Sequence, residues 1–492
     1  MSKEKKLTAS EIDGVNYRRS STGQIILSVF AYIPLVLTGI LLTYISYMAS
    51  TGYGIATTVT GAVFTFLTIF DGVTDPIVAK FIDNFNTKHG KIRLLLFIGY
   101  GISAISVLLT YFIFSNKGLG VPVFVLLLCF FYIGYTIYCV TQGMINPILT
   151  NDPVQRPMVN VWMTLIGVFP PIIYMVYVSV FLLPKYGNEY TVPMLQEMCV
   201  QVLVVSLITL LISMIGLGKI DKPENFEGIQ TKKEKVSFKD MVMMFKENAA
   251  LRAYFFAAAS DSIATGVSGQ AVVTTLLGGV LLGDMAKNST YSMVPMVIGM
   301  VFLFLNSKMN AKWGSKKGCV NWSLLAIAVS AATLAFEFWA YRAGVIKQIF
   351  TTPLLLIIWM ILISLKNIFN NGNSNATTMM MADVIDYQCY LSGKYMPAAV
   401  TATYSFLNKL VSSVNSVLCM SLLALIGYTD TLPQPTDELT DAIFWLTMFI
   451  TLGFPAIGWA INLISMKFNP LTKEKMVEVQ ATIADKKAEM QE

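Results

Sequence analysis

Charge is scarce in this chain. Asp, Glu, Lys and Arg make up 13% of its 492 residues, against roughly 25% in soluble chains. Hydrophobic residues reach 55% and the mean hydropathy is +0.62. With His89 the single histidine, triads or relays that need an embedded imidazole find no support. The six cysteines, at 129, 139, 199, 319, 389 and 419, are scattered without a CxxC spacing, which argues against disulfides and metal clusters. No GxxxxGK[ST], no GxGxxG after a strand and no HExxH occurs, so phosphate-cradling ATP chemistry and zinc hydrolysis are unsupported. No nucleophile and base pair suggests an enzyme.

What the chain does have is long apolar runs. A helix needs about 20 apolar residues to cross a hydrocarbon core of roughly 30 Å. Twelve such stretches can be counted, at 24–49, 54–82, 93–115, 122–149, 159–184, 193–217, 251–284, 289–308, 318–341, 350–378, 397–427 and 440–465. They lack strand alternation and are twice the length of barrel strands, so the sequence predicts an all-α membrane protein. The hydrophilic stretch 218–250 divides the spans six and six, between bundles at 24–217 and 251–466, with an N-terminus at 1–23 and a charged, partly helical tail at 467–492. Within the linker, VSFKDMVMMFKE suggests a short helix lying on the membrane surface. TKHGKIR after the second span and AKWGSKKG after the eighth form a faint repeat, as expected of two related bundles.

Alternate loops differ sharply in basic residues: 28 Lys and Arg lie on the side of the termini and five on the other. The positive-inside rule therefore places both termini in the cytoplasm, with the chain a multi-pass protein of the cytoplasmic membrane. The net charge of +6 is spread over the inner loops, so it requires no nucleic acid. The first 23 residues carry no cleavage pattern of a signal peptide.

A charged side chain at mid-bilayer costs about 2.5 to 3.5 kcal/mol and usually faces a cavity. The candidates are Asp71 and Asp75 in the second span, Asp261 in the seventh, Lys366 in the tenth and Lys409 in the eleventh; Glu337 and Asp284 sit nearer span ends. Asp71 and Asp75 are four apart, one turn along one helical face, with Thr74 alongside. Carboxylates this close repel, so one takes a proton or a cation sits between them. Two carboxylates and a hydroxyl form part of a hard-cation shell, and a tie between helices is the plainer alternative. Lys366 and Lys409 lie about 16 and 12 residues into their spans. Either can neutralise the aspartates or bind an anionic substrate group, while both can also snorkel and Lys366 can form a structural pair with Asp261. Gln142, Asn146, Trp162 and Tyr404 are polar or aromatic candidates for a substrate cavity, although such residues often serve packing. The glycines and methionines of 266–283 suit close approach and bending.

DGVTDPIVAKFIDNFNTKHGKIR resembles the helix-two and loop 2/3 signature of the glycoside-pentoside-hexuronide cation symporters, the major-facilitator branch that includes melibiose permease. There the pattern is approximately D-x-x-x-D-P, then D-R-T-x-x-R-x-G-x-x-R; Asp71, Asp75, Pro76, Asp83, Gly90 and Arg93 match. MMADVIDYQCYLSGKYMPAAV at 380–400 resembles the family's loop 10/11, with Lys409 at the position of a helix-eleven lysine, and NPILTNDPVQR at 146–156 resembles loop 4/5. The resemblance implies a twelve-helix transporter of major-facilitator fold working by alternating access. It implies a cation, Na⁺ or H⁺, at Asp71, Thr74 and Asp75, a metal ligand pair at Asp71 and Asp75 if the ion is Na⁺, and a conformational loop at Asp83, Gly90, Lys91 and Arg93. Substrate contacts are expected from Lys409, Gln142, Trp162, Tyr404, Asp261 and Lys366. The family's sugar-contacting acid and aromatic of helix four fall on Cys139 and Gly143, its helix-five arginine on Met163 and a helix-two asparagine on Thr74. The first span holds no Asp, Glu, Lys, Arg or His.

The reading is a cation-coupled symporter of a sugar, glycoside or sugar acid, acting as a monomer in the lipid bilayer without a cofactor other than the coupling ion. A lysolipid or amphiphile carrier of the same fold and a transport-incompetent sensor are the alternatives.

Overall fold

The structure is a computed structural model that describes residues 19–85, 87, 90–150, 155–222, 238–392 and 397–489. Among them no strand occurs. Eleven helices are long and apolar enough to cross a membrane, and a bent pair makes up to twelve.

By contacts between residues the chain divides into two compact units. The first comprises Met1–Ala56 and Ile69–Lys233, and the second Thr57–Thr68 and Glu234–Glu492. In the first unit the opening span is two helices, Thr22–Val29 and Tyr32–Tyr53. The second span, Thr57–Asn84, crosses from one unit to the other. Ile92–Leu108, Gly120–Gly143, Arg156–Tyr177 and Val192–Leu217 follow as the third to sixth. The third and fourth spans approach until backbones touch: a Cβ on Gly99 would stand 2.8 Å from the Tyr138 amide nitrogen, and one on Gly134 2.7 Å from that of Ser103. Apolar side chains provide no drive between helices in lipid, so small residues that admit close contact take that role. Val78, Ile82, Leu95 and Ile137 fill the space where the second, third and fourth spans meet.

In the second unit the seventh span is broken. Ala249–Ser268 and Ala271–Leu281 meet at 62°, and Thr275–Leu281 is wound as a π-helix. The single run expected at 251–284 is thus two pieces, and its glycines act in both ways anticipated: Gly269 ends the first piece, while Gly266 lies hard against Asn415 and Gly279 against Pro435. Met285–Trp313, Ser315–Arg342 and Pro353–Ser392 are the eighth to tenth spans. The tenth runs past the apolar limit near 378 and takes in much of the segment read from resemblance as loop 10/11. The extension, ADVIDYQCYLS, holds no glycine or proline to stop it before Gly393, and buried Val384 and Gln388 anchor it. The eleventh span comprises Pro397–Ser412 and Asn415–Leu425, and Asp441–Phe468 is the twelfth. The linker helix is present at Phe238–Glu247 and the tail helix at Lys473–Glu489.

Candidate functional site

The second span has two faces. Ile69, Val73, Ile77 and Phe81, each four residues from the next, are 43%, 61%, 65% and 53% exposed, an apolar stripe of the kind that meets lipid. At 100° per residue, Asp71 and Asp75 fall opposite this stripe, on the side of buried Val78 and Ile82. The acids are therefore turned into the protein. The Thr136 hydroxyl donates to Asp71 Oδ1 at 2.9 Å, and the charge of Asp71 acts on Tyr132 and Tyr135 of the same helix. Thr74 donates its hydroxyl to the Asp71 carbonyl oxygen at 3.1 Å. Among the described residues no three His, Cys, Asp or Glu side chains gather as a metal cage. The donors here are hard oxygens, suited to an alkali ion or a proton.

Other first-unit candidates sit on the fourth and fifth spans. Gln142 is 6% exposed. The Trp162 indole N–H is buried and meets no acceptor among the described residues, a cost of about 1 to 3 kcal/mol that an incoming oxygen would relieve. Cys139 is exposed one turn from Tyr135. Of Asn146 and Asp83 only the backbone lies within the described residues, and His89 lies outside them.

Gly90, Lys91 and Arg93 converge on a residue the sequence did not single out. Asp221, 3% exposed, accepts from the backbone N–H of Lys91 at 2.9 Å, of Ile92 at 3.1 Å and of Arg93 at 2.9 Å, and pairs with Arg93 Nε at 3.4 Å. It caps the start of the third span. Lys91 Nζ donates to the Ile82 carbonyl at 3.3 Å. Gly90, at φ 90°, lies so close to Asp221 that a Cβ would overlap it.

In the second unit a cavity of about 260 Å³ is lined by Asp261, Thr265 and Ser268 of the seventh span, Lys366, Asn367 and Asn370 of the tenth, and Thr451 and Trp459 of the twelfth. Asp261 and Lys366 thus share one space, but among the described residues no ion pair joins them. Asp261 is held by two amides: Asn373 donates to Oδ2 at 2.8 Å and Asn462 to Oδ1 at 3.1 Å. Lys366 Nζ donates to the Thr451 carbonyl at 2.9 Å. Tyr404 packs on Tyr254 with ring centroids 4.9 Å apart and lies within the field of Asp261. Neither Tyr404 nor Lys409 is among the described lining residues. The cluster NIFNNGNSN, with five asparagines in a span, was the readable signal for Asn367, Asn370 and Asn373. Asn462 gave none.

Compared with known families, residues 29–473 match one described as MFS/sugar transport protein. The chain belongs to this family. It is a multi-pass membrane transporter and not an enzyme. Compared with curated proteins, the sequence finds no match. Among solved structures it is similar to the nucleoside transporter NupG, at TM-score 0.62 and 14% identity, covering 92% of this chain and 100% of that one. A bacterial homolog of the human lysosomal transporter Spinster gives 0.55 at 11% identity, over 93% and 97% of the two chains. A bacterial homologue of the iron transporter ferroportin gives 0.55 at 12%, over 91% and 100%. At these identities the likeness establishes the major-facilitator fold alone.

Proposed function

We propose that this family member is a cation-coupled symporter of a small carbohydrate-type solute. It works by alternating access in the cytoplasmic membrane, with both termini cytoplasmic as the Lys and Arg asymmetry supports. The observation that carries the reading is the acid pair Asp71 and Asp75 on the inward face of the second span, with Asp71 tied to Thr136. Na⁺ or H⁺ is cargo at this pair. Its arrival relieves the repulsion between the carboxylates and favours the conformations that hold solute. Because the linkage is reciprocal, solute tightens cation binding by the same factor, about 5- to 150-fold in systems of this kind.

Trp162, whose buried donor meets no acceptor among the described residues, and Gln142 are the first-unit residues proposed to meet solute hydroxyls. An amphiphile carrier of the same fold is the competing reading. The second unit's cavity of about 260 Å³, with Asp261 and Lys366 in its lining, is small for an amphiphile. The test is counterflow in proteoliposomes with glycosides, sugar acids and lysolipids under imposed Na⁺ or pH gradients. Sugar flux that follows one gradient supports the proposal; lysolipid flux without sugar flux sinks it.

A further inference from the structure

The second unit gathers lysines from distant parts of the chain at one rim. The eighth span ends at Trp313 and the ninth starts at Ser315, and the tail helix begins against the turn between them. Lys473 Nζ donates to the Lys312 carbonyl oxygen at 3.1 Å, and a Cβ on Gly314 would stand 3.5 Å from that of Lys473. The Lys316 ammonium donates to the carbonyl oxygen of Asn469, just past the twelfth span. Glu474 lies within the field of both Lys317 and Lys473. Lys308, Lys312, Lys317, Lys467 and Lys473 are exposed, and among the described residues none of them forms an ion pair. The acids beside them are Glu474 and Asp383, and Asp383 accepts from the Ser315 hydroxyl.

Apolar stripes run up to these lysines. On the eighth span Val301, Phe304 and Leu305 are exposed, Phe304 by 80%, and Lys308 and Lys312 continue that face at intervals of three and four residues. On the twelfth, Ile461, Ile464 and Phe468 are exposed, Phe468 by 73%, with Lys467 in their last turn. We propose that this rim binds an anionic phospholipid, its phosphate on Lys312, Lys317 and Lys473 and its acyl chains along the stripe of the eighth span. The inference rests on the chain's place in a membrane and is independent of the solute it carries. A phosphodiester brings one negative charge, which a lysine meets as a point charge. Clusters of lysine at the end of a membrane helix suit such headgroups. A soluble anion has nothing to place on Phe304 and Phe468, and a zwitterionic headgroup brings a cation that the lysines repel.

The test uses the full-length protein in a neutral maltoside detergent, titrated with phosphatidylglycerol, phosphatidylcholine or inorganic phosphate, with thermal unfolding as the readout. Phosphatidylglycerol is expected to stabilise the wild type, and the other two at equal phosphorus to leave it unchanged. Each lysine at an anionic headgroup contributes about fivefold in affinity. Lys312→Gln, Lys317→Gln and Lys473→Gln together should therefore raise the half-maximal phosphatidylglycerol concentration about tenfold or more, while arginine at all three positions should keep it. Lys219→Gln, Lys222→Gln and Lys246→Gln remove the same charge from exposed positions elsewhere and should leave it as in the wild type. If the first triple variant does not fold, Lys308→Gln with Lys467→Gln carries the test, with a rise of about fivefold or more expected. Stabilisation by phosphatidylcholine or inorganic phosphate equal to that by phosphatidylglycerol overturns the inference. So does an unchanged half-maximal concentration in the rim variants, or an equal rise in the variant altered elsewhere.

Discussion

Thr136 and Asp71 meet at 2.9 Å, hydroxyl to carboxylate, and tie the fourth span to the second. Thr136 is 3% exposed, and its bond, part-buried, fixes one carboxylate oxygen of Asp71. A cation site needs its ligands held before the ion arrives, because ordering them on binding would lower affinity.

Thr136→Val keeps the shape and removes the donor. We expect cation affinity to fall about 3- to 10-fold, with maximal uptake little changed, and Thr136→Ser to retain wild-type affinity. The concentration of Na⁺ or H⁺ giving half-maximal uptake is the readout.

Asp221 satisfies three amide donors and pairs with Arg93. Asp221→Ala should lower stability by about 1 to 2 kcal/mol, the usual cost of losing a helix cap. It should also speed hydrogen exchange at Lys91, Ile92 and Arg93 more than elsewhere in the third span. Exchange unchanged at these three amides would show that the carboxylate does not hold the start of the helix.

Gly90→Ala attacks the same junction from the other side, by overlap with Asp221 and by a left-handed φ that costs a residue with a Cβ about 1 to 2 kcal/mol. Since both substitutions break one contact, the double variant should be less destabilised than the sum of the singles. Thermal unfolding of the four proteins of this cycle checks the expectation.

Asn373 and Asn462 are 1% and 0% exposed and both donate to Asp261. Asn462→Ala removes a donor from a buried acid, and we expect about 1 to 3 kcal/mol of destabilisation. Adding Asp261→Asn should recover part of it, because a neutral amide requires less compensation than a carboxylate. Additive losses in the double variant would contradict this account of the pair.

The tail helix Lys473–Glu489 is fastened by buried Leu471 and Val479, 1% and 0% exposed, and by exposed polar contacts such as Gln480 Nε2 donating to Asp386 at 2.6 Å. Exposed contacts of this kind contribute little. Val479→Asp should therefore release the tail to protease, whereas Asp386→Asn should leave cleavage as in the wild type.

The spans were legible because twenty apolar residues in a row leave few alternatives, and the acid pair because charge stands out in such a run. The bending of the seventh span was signalled by its glycines, but the extension of the tenth helix to Ser392 was not, since it depends on how Val384 and Gln388 are buried within the second unit. Asp221 was invisible for a different reason. Its partner Lys91 lies 130 residues away, and an aspartate at the end of an apolar run reads as an ordinary solvated charge. The sequence left open whether Asp261 and Lys366 pair, and it could not show that Asn373 and Asn462 donate to the acid.

The most direct test of coupling is solute uptake into proteoliposomes under an imposed Na⁺ or proton gradient, wild type against Asp75→Asn, with counterflow of the same solute measured alongside. The account predicts that gradient-driven accumulation is lost in Asp75→Asn while wild type concentrates solute. Accumulation by Asp75→Asn equal to that of wild type would contradict it.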